Sequence, residues 1–245
     1  MKALILAAGY GKRLRPITDR IPKSMAEVAG TPLLVNALHN LTELGIRQIG
    51  IVVGHMADYI RSAIGNKFNG AEIAYYENPR YRETNNIYSL YKALDFFDDD
   101  SLMLECDIFY RADLLRELLT GGGVCSILVS PFNPETMDGS VIRAEGDKAM
   151  ELVLGKWQGE GFDYTNAFKT VNIYKFTRDF MSRQYAPLIR WYVENVGENI
   201  YYEKVLGSLI YYRESDIRIV KVPEEMWCEI DNEDDLFRAN RRFRE

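Results

Sequence analysis

Histidine is nearly missing: the 245-residue chain has two, alongside three cysteines. His39 lies inside a leucine pattern of helical spacing and His55 just beyond a strand, and neither has a neighbour that suggests catalysis. Cys106, Cys125 and Cys228 are odd in number, widely spaced and set in apolar strand-like surroundings. That supports neither a disulfide framework nor a zinc site and leaves buried free thiols. No stretch reaches the roughly 18 uninterrupted apolar residues of a membrane span, and the first residues enter a strand without a signal-peptide pattern, so a soluble cytoplasmic protein with no membrane partner is expected. Basic residues are in deficit, 30 Lys and Arg against 36 Asp and Glu, and the net charge of −6 argues against nucleic acid as a partner. Repeats, low-complexity tracts and linkers are also missing, so residues 1–245 are expected to form one α/β domain.

Against that acidic background, positive charge is concentrated near the start. Lys2 to Ala7 is a short apolar run, and Ala8, Gly9 and Gly11 after it carry so little side chain that backbone N–H groups can approach a phosphate. Lys12, Arg13, Arg15, Arg20 and Lys23 follow, with Asp19 as the single acid among them. Two familiar phosphate motifs are absent. A P-loop would need Gly and Ser or Thr where Leu6 and Arg13 stand, and the dinucleotide fingerprint would need Gly where Leu14 stands.

Further on, apolar strands alternate with amphipathic helices. Leu34, Ala37, Leu38, Leu41 and Leu44 recur at helical spacing before Gly45; 48–53 reads as a strand, 56–64 as a helix, 71–76 as a strand, 87–97 as a helix and 102–105 as a strand. This alternation predicts a doubly wound, mostly parallel sheet, whose ligands sit at the carboxyl ends of the strands, where the glycine turn and Asp107 fall. The second half is less regular. Strands are expected over 124–129, 169–176 and 217–222 and a hairpin over 140–144 and 149–154, forming a smaller sub-sheet on the acceptor side. Helices are expected over 177–195, broken or kinked at Pro187, over 201–212 and over 234–243.

Leu-Ala-Ala-Gly-x-Gly-x-Arg-Leu, followed by Pro16 and then Pro22-Lys23, resembles the signature of the nucleotidyltransferases that make activated sugars and alcohols from a nucleoside triphosphate. The resemblance implies the Rossmann-like nucleotidyltransferase fold of the nucleotide-diphospho-sugar transferase type. It also implies that Leu6, Ala7, Ala8, Gly9, Tyr10, Gly11 and Lys12 cradle the nucleotide. Lys23 would contact the α-phosphate and the acceptor, and Arg13 the β- and γ-phosphates, as the catalytic cations. Asp107 in Leu-Glu-Cys-Asp and Asp231 in Glu-Ile-Asp match the family's acids, so they are the expected ligands of Mg²⁺. Glu105 and Glu229, two residues earlier, would share a strand face with them. An isolated Asp at a strand end is more often a turn or cap residue; two in the family's places reverse that preference.

Asn85-Asn86-x-Tyr88-Ser89-Leu90 resembles the phosphocholine and 2-aminoethylphosphonate cytidylyltransferase branch. Asn86 and Ser89 are assigned by that likeness to nucleotide recognition, together with Glu105, and CTP is the expected donor; helix capping is the ordinary reading of the asparagines. For a small zwitterionic phosphonate or phosphate acceptor, the expected contacts are Asp138, Tyr164, Lys169, Tyr202 and Glu203. Further ring and acid candidates are Trp157, Phe162, Asp163 and Trp227, packing being an equal explanation for the tyrosines. Asp138 stands where phosphocholine enzymes of this branch carry a tryptophan, and an acid suits a primary ammonium, which donates hydrogen bonds, better than a quaternary one. Together with Lys169-Thr-Val-Asn-Ile-Tyr174 this favours 2-aminoethylphosphonate over phosphocholine. The loop 155–166 could close over the acceptor and exclude water. An acceptor already ionised at neutral pH needs no general base, consistent with the shortage of histidine. A hexose-1-phosphate nucleotidylyltransferase and a catalytically silent nucleotide-sensing domain are the rivals, and a homodimer is left open.

Overall fold

Successive residues of the first strand go to opposite faces of the main sheet, and that alternation organises the core. The computed structural model describes residues 1–244. Ala3, Ile5 and Ala7 of β1 (Lys2–Ala7) join one apolar layer, and Leu4 and Leu6 join the other together with Ala8. A two-residue hairpin, β2 (Glu27–Val28) and β3 (Thr31–Pro32), leads into α1 (Leu33–Glu43) and β4 (Gln48–Val53). There follow α2 (Ala57–Ile64), the short edge strand β5 (Lys67–Phe68), β6 (Ala71–Glu77), α3 (Asn86–Lys92) and β7 (Ser101–Glu105). The second half comprises β8 (Ile108–Tyr110), α4 (Asp113–Thr120), β9 (Cys125–Pro131), the hairpin β10 (Val141–Glu145) and β11 (Lys148–Val153), and β12 (Ala167–Phe176). Last come α5 (Arg178–Phe180), α6 (Ala186–Asn195), α7 (Tyr202–Tyr212), β13 (Ile217–Lys221), β14 (Trp227–Glu229) and α8 (Glu233–Arg242).

Ten strands form the main sheet in the order β10-β11-β13-β9-β12-β7-β1-β4-β6-β5. β7, β1, β4 and β6 are mutually parallel, β5 is antiparallel at the edge beside β6, and β12 enters antiparallel to both β7 and β9, so the sheet is parallel from β7 to β6 and mixed beyond. Residues of α1, α2 and α4 pack on one face and those of α3, α6 and α7 on the other. The expected hairpin on the acceptor side is present, and it is hydrogen-bonded into the main sheet through β12 and β13 rather than standing apart.

Two helices differ from expectation. The helix expected over 87–97 ends at Lys92 and resumes as a short 3-10 turn, Leu94–Phe96. The expected break at Pro187 does not occur. A π-helical turn, Met181–Tyr185, carries α5 into α6 and places Pro187 in the first turn of α6, where the missing N–H costs little. Helix α4 escapes a simple reading of periodicity because it is short, with Leu114, Leu115 and Leu118 as its buried stripe. Among the described residues no helix is long and apolar enough to cross a membrane.

After β1 the chain builds outward on one side through β4 and β6, then returns to the other side of β1 as β7. The crevice at the carboxyl ends of β1 and β7 is therefore the topological switch point of the parallel part. Register does the rest: Leu6 lies opposite Glu105, so the glycine turn after β1 and the acid after β7 leave the sheet side by side.

Candidate active site

Lys23 approaches this crevice because the glycine turn allows it. Gly11 has φ +67°, a conformation unfavourable to side chains, and a Cβ there would lie 2.8 Å from Cβ of Lys23. The Lys23 ammonium then bridges Asp107 Oδ2 and Asp231 Oδ1, each at 2.7 Å. Arg13 adds Nη2 to the same Asp231 oxygen at 2.9 Å and reaches Asp138 at 3.6 Å. Asp231 is brought in by β14, which pairs with β8, and by the Ile230 N–H donating to the Asp107 carbonyl at 2.9 Å. The cap of α8 pins it there: Asp235 Oδ2 accepts from the N–H groups of Asp231 and Asn232, while the Asn232 side chain accepts from Asp235 N.

Burial lowers the Lys23 pKa, and Asp107 and Asp231 outweigh it, so the ammonium is held charged well above its ordinary range. Burial works the other way on Asp231, where Lys23 and Arg13 prevail and the carboxyl is held below its ordinary value. Glu229 joins Asp107 and Asp231 in a group of carboxylate oxygens all within 4.8 Å of one another. Desolvation raises Glu229 to about 7, with Asp107 and Asp231 adding to the shift and Lys169 opposing it. Buried Asp107 Oδ1 has no hydrogen-bond partner. An all-oxygen donor set with one such orphaned oxygen fits a hard divalent cation such as Mg²⁺.

Two cavities meet here. The first, 570 Å³, is lined by Leu6, Ala8, Gly9, Tyr10, Gly11, Lys12, Arg13, Lys23, Asn86, Ser89 and Glu105, which are all the residues expected at the nucleotide except Ala7. Ala7 faces the opposite layer with Ile5 and Ala3, as strand alternation requires. Asn78, Tyr81 and Thr84 complete this wall. The Asn78 amide donates to Ser89 Oγ at 3.0 Å and to Thr84 Oγ1 at 3.1 Å, so Ser89 belongs to a polar chain rather than standing alone. Asn78 was not anticipated, although a polar residue immediately after a parallel strand was a usable signal. Asn85 takes the ordinary role, its side chain accepting from the N–H of Asn86 at the start of α3.

The second cavity, 530 Å³, is lined by Asp138, Tyr164, Lys169 and Glu203 and shares Arg13, Asn86, Glu105, Asp107, Tyr201 and Asp231 with the first. Lys169 is 2% exposed, with its ammonium 3.0 Å from Glu229. Burial lowers its pKa, but Glu229 more than compensates and the net shift is upward. Gly139, at φ +95°, lets the chain pass close to that ammonium; a Cβ there would lie 2.8 Å from Lys169 Nζ. A bulge in β12 puts Asn172 at φ +58° and turns its amide toward Glu105.

Other expected acceptor residues sit elsewhere. Tyr202 is fully buried and does not line the cavity; its hydroxyl donates to Glu105 Oε1 at 2.8 Å, so it supports the wall from behind. The helical phase of α7 decides this: Tyr202 faces the core, and the wall position goes to Tyr201, which lines both cavities. Trp157 is 51% exposed and Trp227 3% exposed in the core, and neither lines the second cavity. Phe162 packs edge-on against Tyr164 behind the wall, and the Asp163 side chain accepts from Thr165 N. Of the 155–166 loop, Gly155, Lys156, Gln158 and Tyr164 reach the cavity, and Gln158 ties the loop to the Gly139 and Val153 carbonyls.

Residues 2–121 match the family model described as nucleotidyl transferase. A CMP-5'-(3-aminopropyl)phosphonate synthase of Streptomyces rubellomurinus is 29% identical over 99% of this chain, which spans 39% of that protein's length. A CTP:phosphoglutamine cytidylyltransferase of Campylobacter jejuni is 27% identical, over 96% of this chain and 98% of that protein. Relatives named for glucose 1-phosphate also occur, matching 46% and 42% of the chain. The solved structure of the CTP:phosphocholine cytidylyltransferase of Streptococcus pneumoniae superposes with a TM-score of 0.75 at 22% identity, covering 98% of this chain and 97% of that one. That likeness shows the nucleotidyltransferase fold of the nucleotide-diphospho-sugar transferase type. The family match over residues 2–121 takes in both the glycine turn and the acid after β7, so that part of the chain carries the nucleotidyl transferase signature.

Proposed function

We propose that the chain is a Mg²⁺-dependent cytidylyltransferase that joins CMP from CTP to a small zwitterionic phosphonate or phosphate and releases pyrophosphate. The observation that carries this reading is the Lys23 ammonium between Asp107 and Asp231 where the two cavities meet. One cavity offers the glycine turn and cations for a triphosphate, the other a wall of acids.

An acceptor oxyanion in the second cavity attacks the α-phosphorus. A new P–O bond forms, the bond from the α-phosphorus to the bridging oxygen breaks, and pyrophosphate leaves with that electron pair. Lys23 and Arg13 neutralise charge on both reactants, the arrangement expected when catalysis consists of positioning and electrostatic stabilisation. Asp107 and Asp231, with Glu229 beside them, would hold Mg²⁺, which when bound supplies Lewis-acid stabilisation of phosphate charge. No side chain has to remove a proton, because the acceptor is already ionised.

Glu105, Asp138, Glu203 and Glu229 line the acceptor cavity without either tryptophan candidate, and Tyr164 stacks on Phe132 with ring centroids 4.8 Å apart. An acid-rich wall with few free ring faces favours a hydrogen-bonding primary ammonium. We therefore favour 2-aminoethylphosphonate, with phosphocholine next. The test is acceptor-dependent pyrophosphate release with CTP, UTP, ATP, GTP and dTTP, each against 2-aminoethylphosphonate, phosphocholine, phosphoethanolamine and hexose 1-phosphates. CTP with an amino-phosphonate is the expected pair. Turnover only with a hexose phosphate selects the sugar-nucleotide reading, and no turnover with any pair selects the silent nucleotide-sensing one.

A further inference from the structure

Asn86 opens α3 on the seam shared by the two cavities, and both hydrogens of its side-chain amide are engaged. Its Oδ1 accepts from the backbone N–H of Tyr202 at 2.9 Å. Its Nδ2 donates one hydrogen to Glu105 Oε1 and the other to Glu203 Oε2, both at 3.1 Å. A primary amide has two hydrogens to give, and both are taken by carboxylates of the acceptor cavity. The acceptor atoms of a cytosine edge, N3 and O2, could take a hydrogen from this amide only by breaking one of those bonds.

We infer that Asn86 is a positioning residue for the acceptor wall, holding Glu105 and Glu203 in place, and does not donate to the nucleotide base. This rests on the proposed reading, in which that wall receives the acceptor. Glu203 depends on it most, since among the described residues no other side chain hydrogen-bonds its carboxylate, whereas Glu105 also has Tyr202 and Asn172. The helix starts are joined independently: Asn85 N–H donates to the Glu198 carbonyl at 3.0 Å and Ile87 N–H to the Ile200 carbonyl at 3.4 Å. Loss of the Asn86 side chain therefore frees Glu203 and removes one of three side-chain bonds to Glu105, while the backbone junction stays tied.

Asn86→Ala removes all three side-chain bonds. Asn86→Asp keeps an acceptor for the Tyr202 N–H but has no hydrogen for either glutamate, so a role limited to tethering α7 would leave it near wild type. With CTP and 2-aminoethylphosphonate, both variants are expected to raise the acceptor KM about tenfold or more while the CTP KM stays within about twofold. Calorimetric Kd values for CTP, measured without acceptor, are expected to stay within about the same twofold. An acceptor KM at the wild-type value in Asn86→Asp, or a CTP Kd raised about tenfold in either variant, overturns the inference. The calorimetry decides the base-reading question even if the wild-type chain turns over no amino-phosphonate, an outcome that would count against the functional reading instead. Circular dichroism accompanies each variant. Should Asn86→Asp not fold, Asn86→Ala, Glu203→Gln and the double variant carry the test, with acceptor KM effects expected to be non-additive; additive effects overturn it.

Discussion

Lys23 and Asp231 stand 208 residues apart in the chain and 2.7 Å apart in the fold. Their contact closes the site: the lysine comes from the segment after the glycine turn, the aspartate from the end of a strand pair joined to β7 by one short turn. Asp107 completes the arrangement from the other side of the ammonium. Three distant stretches of sequence thus converge on one positive charge, which each acid helps to hold.

Replacing that charge is expected to abolish most of the chemistry. Lys23→Ala should lower kcat for nucleotidyl transfer by about 10²–10³, the usual effect of removing one preorganised electrostatic group. The two carboxylates it leaves facing each other should also lower the thermal midpoint. Steady-state kinetics and a melting curve check both, and a variant with wild-type kcat would remove Lys23 from the reaction.

Chelation gives a second outcome. If Asp107 and Asp231 hold a catalytic cation, EDTA should stop turnover and added Mg²⁺ restore it. The circular dichroism spectrum should not change, because the core is built from apolar layers rather than around the acid group. Unfolding on chelation, or turnover that ignores it, would contradict this assignment.

The glycine turn can be tested at one atom. Gly11→Ala places a Cβ 2.8 Å from Lys23 Cβ, on a residue at φ +67°. The left-handed conformation alone costs about 1–2 kcal/mol. Displacement of the lysine should lower kcat/KM about 10–10²-fold, a loss of the size that misplacement of reacting groups produces. Gly65→Ala is the control, since it shares the left-handed conformation at φ +72°, lines neither cavity, and its Cβ would meet nothing within 4 Å. Equal losses in the two variants would show that the contact with Lys23 is not the cause.

His55 supplies a pH dependence. Burial lowers its pKa from 6.5, and the positive charges of Arg82 and Arg15 add to the shift. As pH falls, the unfolded imidazole therefore takes up a proton before the folded one. This group's contribution to stability is full above pH 6.5 and is lost as pH falls through the lower folded value. The difference in melting temperature between wild type and His55→Gln should shrink or reverse on acidification from neutral pH. A difference that stays constant would mean that His55 is not perturbed.

Much of this site was legible because its parts carry local signatures. A small-residue turn after an apolar strand, with cations behind it and no third glycine, narrows the chemistry, and acids ending strands fall where an open α/β sheet binds ligands. Side-chain direction was harder. Strand alternation in β1 was sufficient to exclude Ala7, while Tyr201 and Tyr202 could not be ranked without the helical phase of α7, which tertiary packing sets. Asn172 reaches Glu105 only because a bulge breaks the register of β12, and no periodicity announces that. The pairing of buried Lys169 with Glu229 likewise depends on the approach of β14 to the sheet. Pro187 misleads for a simpler reason: a π turn absorbs it.

The most direct measurement is ³¹P NMR of the chain incubated with CTP, Mg²⁺ and 2-aminoethylphosphonate. The expected spectrum shows pyrophosphate together with a phosphonate signal and a phosphate signal coupled to each other, the product of attack on the α-phosphorus. CDP with orthophosphate, or CTP consumed only when a hexose 1-phosphate replaces the 2-aminoethylphosphonate, would contradict the account.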